Sequence, residues 1–294
     1  MTAADKLKEI TRLFSGIEAP AREAEILVTE ILGINRVRLL TTPPEISGKD
    51  SEYIDLLAAR RLKGEPMHYI TGHVEFHGLR IHVGKGVLIP RPETELMVEE
   101  AIKLIRAAGR QQSLFSSKTA AEQDGSRISI LDLCTGSGCI ALALAHEIER
   151  ASFIGVDSSE SALSYACRNA EQNRIYNVTF LKGDLFSPLD SGSRFDFIIS
   201  NPPYIRSRDI DSLQVEIREF EPLAALDGGE DGLDFYRSIV KEAPRFLKDT
   251  GMLILEAGAD QADDIRLIAS EAGFGDFGFI RDYAGIERIF IGKR

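Results

Sequence analysis

The chain has 294 residues, 44% hydrophobic and 28% charged, a balance that buries a core and a length that allows one large domain or two. Its formal net charge of −11 argues against tight nonspecific binding to a phosphate backbone and is compatible with a basic protein partner or a cationic cofactor. No apolar run reaches membrane-span length, no signal-peptide core opens the chain, and Cys134, Cys139 and Cys167 form no CxxC pair, so a cytoplasmic protein without a disulfide framework or zinc site is expected.

Residues 3–64 read as helices. Leu7, Ile10, Leu13 and Phe14 repeat at helical spacing, as do Ile26, Leu27, Ile31 and Leu32. Pro20 suits a helix start and Gly33 a helix stop, while Pro43-Pro44 breaks the next segment before Ile54, Leu57, Arg61 and Leu62 continue another. Residues 1–72 are therefore expected to form a helical bundle, as a scaffold or as a module that holds a macromolecular substrate.

Alternation then begins at Val74, Phe76, Leu79, Ile81 and Val83, broken by His77-Gly78, and residues 73–90 read as a hairpin linker. Four histidines, His68, His73, His77 and His82, crowd this region, but their spacing fits no ligand template and strand alternation separates some of them, so no metal site is expected. Pro92, Glu93 and Glu95 suit the first turn of a helix running to about Ala107, with Arg91 pinned between prolines and lining a cleft. Residues 109–127 are polar and aperiodic, a surface loop that acts as a lid or as an inert insertion.

From residue 91 to 294 strands alternate with helices. Ile128–Leu133 is an apolar strand, Cys134-Thr135-Gly136-Ser137-Gly138-Cys139 a glycine loop, and Ile140–Ala145 the start of a helix. That is the geometry of a dinucleotide or nucleoside site, in which Gly136 and Gly138 let the backbone approach a ligand. Phe153–Val156 is a second strand; Asp157 at its end is placed to accept from ribose hydroxyls or to cap the helix from Glu160. A third strand, Val178–Leu181, leads to Gly183-Asp184-Leu185-Phe186, an acid and apolar residues suited to an adenine amino group and ring.

The fourth strand, Phe195–Ser200, must stop at Asn201-Pro202-Pro203-Tyr204, because neither proline has an N–H for the ladder. Ligands of open α/β sheets sit outside these strand ends. The Asn201 side-chain oxygen and the Pro202 carbonyl are two acceptors that match the hydrogens of a planar NH2, and Tyr204 can cover such a group. The plainer reading is a turn with Asn as a turn residue. Beyond it come helix 235–247, strand 252–255, helix 262–272 and short strands 276–280 and 287–291, whose close spacing suggests an antiparallel closing pair. The whole is a doubly wound α/β sheet with an altered terminal strand.

The loop lacks the third glycine of a dinucleotide site, Leu142 standing about there, and no Walker lysine follows Gly138. A nucleoside without a pyrophosphate fits better. S-adenosylmethionine, with its cationic sulfonium, is such a ligand, and methyl transfer from it is favoured in a cleft without bulk water.

These residues are recognisable together. Gly64-Glu65-Pro66, Tyr69–Gly72, Gly86-Val87-Leu88-Ile89-Pro90-Arg91-Pro92-Glu93-Thr94-Glu95, the glycine loop, Asn201–Ile205 and Glu221-Pro222 make the chain resemble the peptide chain release factor glutamine methyltransferases, the HemK-type family. The resemblance covers nearly the whole chain. It implies a class I S-adenosylmethionine-dependent methyltransferase sheet (Rossmann-like, mostly parallel with an antiparallel closing strand) in residues 91–294 behind the small helical domain. It implies methylation of the side-chain amide of the glutamine in the Gly-Gly-Gln motif of bacterial class 1 release factors.

Carried over by position, Cys134, Thr135, Gly136, Ser137 and Gly138 would enclose the cofactor, with Asp157 on the ribose, Asp184 and Leu185 at the adenine and Asn201 at the boundary with the substrate. Asn201, Pro202, Pro203 and Tyr204 would bind the glutamine, and Asn201, Pro202 and Tyr204 would carry the catalysis. Two positions depart from the family: Cys134, where glycine is frequent and a cysteine fits if its φ is negative, and Leu185, where an aromatic is frequent. Three other readings share the architecture: a glutamine methyltransferase of a ribosomal protein, a DNA adenine amino-methyltransferase, which the acidic charge opposes, and a non-catalytic adaptor that senses the cofactor.

Overall fold

The computed structural model describes residues 1–115 and 127–294. In chain order the helices α1 (Ala3–Leu13), α2 (Pro20–Leu32), α3 (Arg36–Thr41), α4 (Gly48–Leu62) and α5 (Met67–Thr71) precede a hairpin of β1 (His73–Phe76) and β2 (Leu79–His82). Then come α6 (Pro92–Phe115), β3 (Ser129–Leu133), α7 (Cys139–Glu147), β4 (Ser152–Asp157), α8 (Glu160–Asn173), β5 (Val178–Lys182) and β6 (Phe195–Ser200). The chain closes with α9 (Val215–Arg218), α10 (Asp234–Phe246), β7 (Leu247–Glu256), α11 (Ala262–Glu271), β8 (Asp276–Arg281) and β9 (Glu287–Lys293).

Contacts divide the chain into two compact units. The smaller comprises Met1–His73 with the segment Gln214–Phe220 that carries α9. Its helices start where side chains satisfy their free N–H groups: Thr2 and Asp5 form a capping box, and Asn35 and Ser47 cap α3 and α4. Gly33, at φ +59, ends α2 in the left-handed conformation. The amphipathic faces close on Ile10, Phe14, Leu27, Leu39, Ile54 and Leu57, each worth about 1.5–3 kcal/mol on burial. Two cations are buried with partners. Lys6 lies 2.5 Å from Asp55, and Arg61 bridges Glu23 at 2.7 Å and Glu216 of α9 at 2.9 Å. Neither α5 nor α9 was evident in the sequence, each being five residues or fewer.

The larger unit comprises Val74–Leu213 and Glu221–Arg294. Its seven-stranded sheet has the order β5-β4-β3-β6-β7-β9-β8. The first five pair in parallel, whereas β9 runs antiparallel to both β7 and β8, the closing pair expected from the spacing of the last strands. β6 is buried along its whole length, as a central parallel strand covered on both faces must be. Strand order runs outward from β3 to β5 on one side and resumes with β6 on the other, so the switch point falls between β3 and β6.

The β1–β2 hairpin turns through His77 and Gly78, both at positive φ as a two-residue type I′ turn requires, and the His77 N–H donates to Glu95 Oε1 at 3.1 Å. The histidines serve locally: His82 Nε2 lies 2.6 Å from Gln172 Oε1, and His73 Nε2 lies 3.3 Å from Glu30 Oε1. Helix α6 continues past the expected end at Ala107 to Phe115; one glycine, Gly109, costs a helix interior only about 1 kcal/mol. The remainder of the expected loop, 116–126, lies outside the described residues. No helix among the described residues is long and apolar enough to cross a membrane.

Candidate active site

The carboxyl ends of β3 and β6 build the site. Register pairs Leu133 with Ser200, and Ser200 Oγ donates to the Leu133 carbonyl at 2.7 Å. The glycine loop and the Asn201 loop therefore spring from adjacent points on a rigid sheet. Beneath the first loop Asp132 is fully buried. Its Oδ2 accepts from Thr135 Oγ1 at 2.5 Å and from the Ala141 N–H at 3.2 Å, which fixes the turn into α7. Its Oδ1 has no hydrogen-bond partner among the described residues, and burial pushes the carboxyl up to about 7.

One cleft brings together Cys134, Thr135, Gly136, Ser137, Asp157, Asp184, Leu185, Asn201 and Pro203 with Pro90, Arg91 and Thr94. A β-carbon on Gly136 would meet only the Cys134 carbonyl at 3.9 Å, so the space beside this glycine is open to the cleft. Gly138 plays another part: a β-carbon there would press on Ala166 and Phe180 at 3.1 Å, so it serves helix packing. Asp157 Oδ2 accepts from the Gly136 N–H at 2.8 Å and Oδ1 from the Ser159 N–H at 2.8 Å, leaving further lone pairs toward the cleft. The cap of α8 is Ser159, not Asp157. Burial raises the Asp157 carboxyl above its ordinary value.

Cys134 stands at φ +56, not at the negative φ expected for a cysteine in that place, and Leu185 stands at φ +46. Each non-glycine residue in this region carries about 1–2 kcal/mol of strain. Both line the cleft, and strain of this kind concentrates at ligand sites held by their surroundings. Burial pushes the Cys134 thiol far up and the Cys139 thiol up to about 12, so neither is a thiolate near neutrality.

Pro202 and Tyr204 sit behind the lining residues. Pro202 is buried, and Tyr204 is half-buried against the core, its phenol pushed up to about 12 by burial and by the Glu256 carboxylate. The loop that carries them is braced by residues the sequence did not point to. Gln261 Nε2 donates to the Tyr204 carbonyl at 2.9 Å and to the Gly232 carbonyl at 3.0 Å, while its Oε1 accepts from the Gly258 N–H. The Ile205 N–H donates to the Leu226 carbonyl and the Gly228 N–H to the Ile205 carbonyl. A β-carbon on Gly228 would lie 2.8 Å from Tyr204 Cα and 2.9 Å from the Pro203 oxygen, so only glycine admits this approach.

At the other wall Glu221, flagged with Pro222, is buried. It accepts from the Ile89 N–H at 3.1 Å and pairs with Arg91 Nη2 at 2.5 Å, so Arg91 both lines the cleft and is neutralised. Thr94 and Glu256, buried together, complete the surroundings of Asn201: Thr94 Oγ1 donates to Glu256 Oε2 at 2.7 Å and Asn201 Nδ2 donates to Thr94 Oγ1 at 3.2 Å. No spacing in the sequence links positions 94, 201 and 256; only the adjacency of α6, β6 and β7 does.

Comparison with known proteins agrees with this geometry. Residues 124–273 match a family model described as a methyltransferase domain, and residues 5–72 match one described as the PrmC N-terminal domain. The release factor glutamine methyltransferase of Thermodesulfovibrio yellowstonii is 43% identical over 99% of this chain and 98% of its own length. That of Geobacter sulfurreducens is 42% identical over 95% of this chain and 91% of its own. A methyltransferase from Pyrococcus furiosus superposes with a TM-score of 0.50 at 19% identity, over 74% of this chain and 89% of that one. That likeness, with the sheet order, identifies the larger unit as a class I methyltransferase fold. The expected fold class and the resemblance drawn from the motifs both hold: the chain belongs to the release factor glutamine methyltransferase family.

Proposed function

We propose that this protein transfers a methyl group from S-adenosylmethionine to the side-chain amide nitrogen of the glutamine in the Gly-Gly-Gln motif of bacterial class 1 release factors. The observation that carries the reading is that Asn201 and Pro203 open on the same cleft as the Cys134–Gly138 loop, Asp157, Asp184 and Leu185. The cleft suits this cofactor by its charge. Among its described lining residues Arg91 is the only arginine or lysine and is paired with Glu221, while Asp157 and Asp184 are acidic, so a polyphosphate is repelled and a cation is not.

S-adenosylmethionine, when bound, supplies an electrophilic methyl whose sulfonium charge is quenched on transfer. Cys134, Thr135, Gly136, Ser137, Asp157, Asp184 and Leu185 would hold it, with Asn201 at the boundary with the substrate. Asn201 Oδ1 and the Pro202 carbonyl accept the two hydrogens of the glutamine NH2, which directs the nitrogen lone pair at the methyl and helps the nitrogen pyramidalise. Tyr204, packed on the core behind the lining residues rather than over the amide, steadies the loop that carries Asn201. No cysteine nucleophile or histidine base is required, and the proton leaves to water after transfer. Residues 1–72 form the module that recognises the release factor, without direct nucleic-acid contact.

The test is a labelling assay with methyl-labelled S-adenosylmethionine and three acceptors in parallel: a class 1 release factor, a ribosomal protein and duplex DNA. Label confined to the Gly-Gly-Gln glutamine is the expected result. Label on the ribosomal protein or on adenine would replace the substrate, and label on none would point to a cofactor-sensing adaptor.

A further inference from the structure

The Asn201 amide has a donor end and an acceptor end, and only one orientation serves an incoming NH2. We propose that Thr94 and Glu256 are positioning residues that set this orientation, turning the Asn201 carbonyl oxygen rather than its amino group toward the substrate. The inference rests on the reading of Asn201 as an acceptor for a substrate amide.

The available hydrogens decide the orientation. The Thr94 hydroxyl owns one, and it goes to Glu256 Oε2 at 2.7 Å. Toward Asn201, 3.2 Å away, Thr94 can then only accept, so it takes the NH2 end of the amide. The Asn201 amide also favours the ionised form of the Glu256 carboxyl. An ionised carboxylate accepts only, and its demand for donors propagates through Thr94 to leave Asn201 Oδ1 facing away from both residues. All three are held on separate elements: Thr94 in the first turn of α6, Asn201 directly after β6, and Glu256 as the last residue of β7.

The relay reverses if Glu256 takes up a proton. A protonated Glu256 can donate to Thr94 Oγ1, Thr94 can then donate to Asn201 Oδ1, and the amide turns its NH2 toward the cleft, where it meets the substrate NH2 donor against donor. Burial holds this carboxyl up at about 7, within reach of neutral pH. The groups that face it are Arg288 of β9, which favours the ionised form, Glu93 of α6, which opposes it, and Tyr204. Tyr236 of α10 donates to the Glu256 main-chain carbonyl at 2.8 Å. Asp132, also raised to about 7, is a second carboxyl that titrates in this range, and burial raises Asp157 as well.

The experiment measures kcat against pH from 6 to 9 for release factor methylation, with the affinity for S-adenosylmethionine measured separately by calorimetry. Wild-type kcat is expected to rise with pH to a plateau, with an apparent midpoint near 7. Glu256→Gln retains an acceptor oxygen but cannot ionise, so its profile is expected to be flat over that limb. Thr94→Val is expected to lower kcat about 10- to 100-fold with cofactor affinity changed less than about twofold, and Thr94→Ser to restore it.

An acid limb that survives unchanged in Glu256→Gln belongs to another group, Asp132 first, and overturns the relay, as does Thr94→Val with wild-type kcat. Both leave glutamine methylation standing. A wild-type chain that never labels the release factor at any pH overturns the functional reading and the relay together.

Discussion

Ser200 Oγ donates to the Leu133 carbonyl at 2.7 Å, fastening the last residue of β6 to the last residue of β3. The glycine loop begins one residue beyond Leu133 and the Asn-Pro-Pro-Tyr loop one residue beyond Ser200. The two loops thus share a root at the point where the strand order reverses. The prolines then stiffen the second loop, so the separation between the two is set by the sheet rather than by flexible side chains.

Cys134 at φ +56 predicts a stabilising substitution. Cys134→Gly removes a β-carbon from a left-handed conformation worth about 1–2 kcal/mol, against a loss of about 0.5–1 kcal/mol from the greater freedom of glycine in the unfolded chain. The net expectation in thermal unfolding is an unchanged or slightly raised Tm. Cys134→Val, a β-branched residue, is expected to lower it clearly. A valine variant as stable as wild type would mean that this backbone carries no strain.

Gly228 predicts a loss of turnover from outside the cleft. In Gly228→Ala the new methyl group falls 2.8 Å from Tyr204 Cα, and the backbone of the acceptor loop must move. The expected cost is roughly 1–3 kcal/mol of stability, with kcat for methylation falling and the dissociation constant for S-adenosylmethionine nearly unchanged. Equal weakening of both would show that the loop moves as one body with the glycine loop.

Asp132 predicts a pH dependence of stability. Its carboxyl titrates near 7 in the folded chain and near 3.9 in the unfolded one. Between those values the unfolded state loses the proton first, so this group's contribution is full below about pH 4, falls as pH rises, and levels off above about pH 7. At ~1.4 kcal/mol per pH unit the change amounts to a few kcal/mol. Asp132→Asn cannot titrate, so the Tm of the variant minus that of wild type should grow from pH 4 to 7 and then stay constant. A difference independent of pH would place the folded-state titration elsewhere.

Much of the fold could be read from short-range signals. Apolar runs such as Phe195–Ser200 and Val178–Leu181, punctuated by glycine and proline, locate β5 and β6 within a residue, whereas β7 begins at Leu247, five residues before the expected 252–255. The Pro20 start and Gly33 stop mark α2 by caps alone. The lining of the cleft was legible where one loop carries it, as in Cys134–Ser137, Asp157 and Asn201. It was not legible where distant positions meet. Thr94 stands inside a quoted motif but gave no sign of its partners, and Glu256, Gln261 and Gly228 lie outside every motif; all four act through contacts that only the folded sheet creates. The left-handed backbone at Cys134 was missed for another reason: a residue's own type reports what φ is cheap, not what the surrounding packing imposes.

The central claim is that Asn201 acts on the substrate nitrogen rather than on the cofactor, and one measurement addresses it most directly: kcat for release factor methylation and the S-adenosylmethionine dissociation constant, both determined for Asn201→Ala. The account predicts kcat reduced on the order of 100-fold or more with the dissociation constant within about threefold of wild type. A parallel loss in both, or a variant that still methylates glutamine at the wild-type rate, would contradict it.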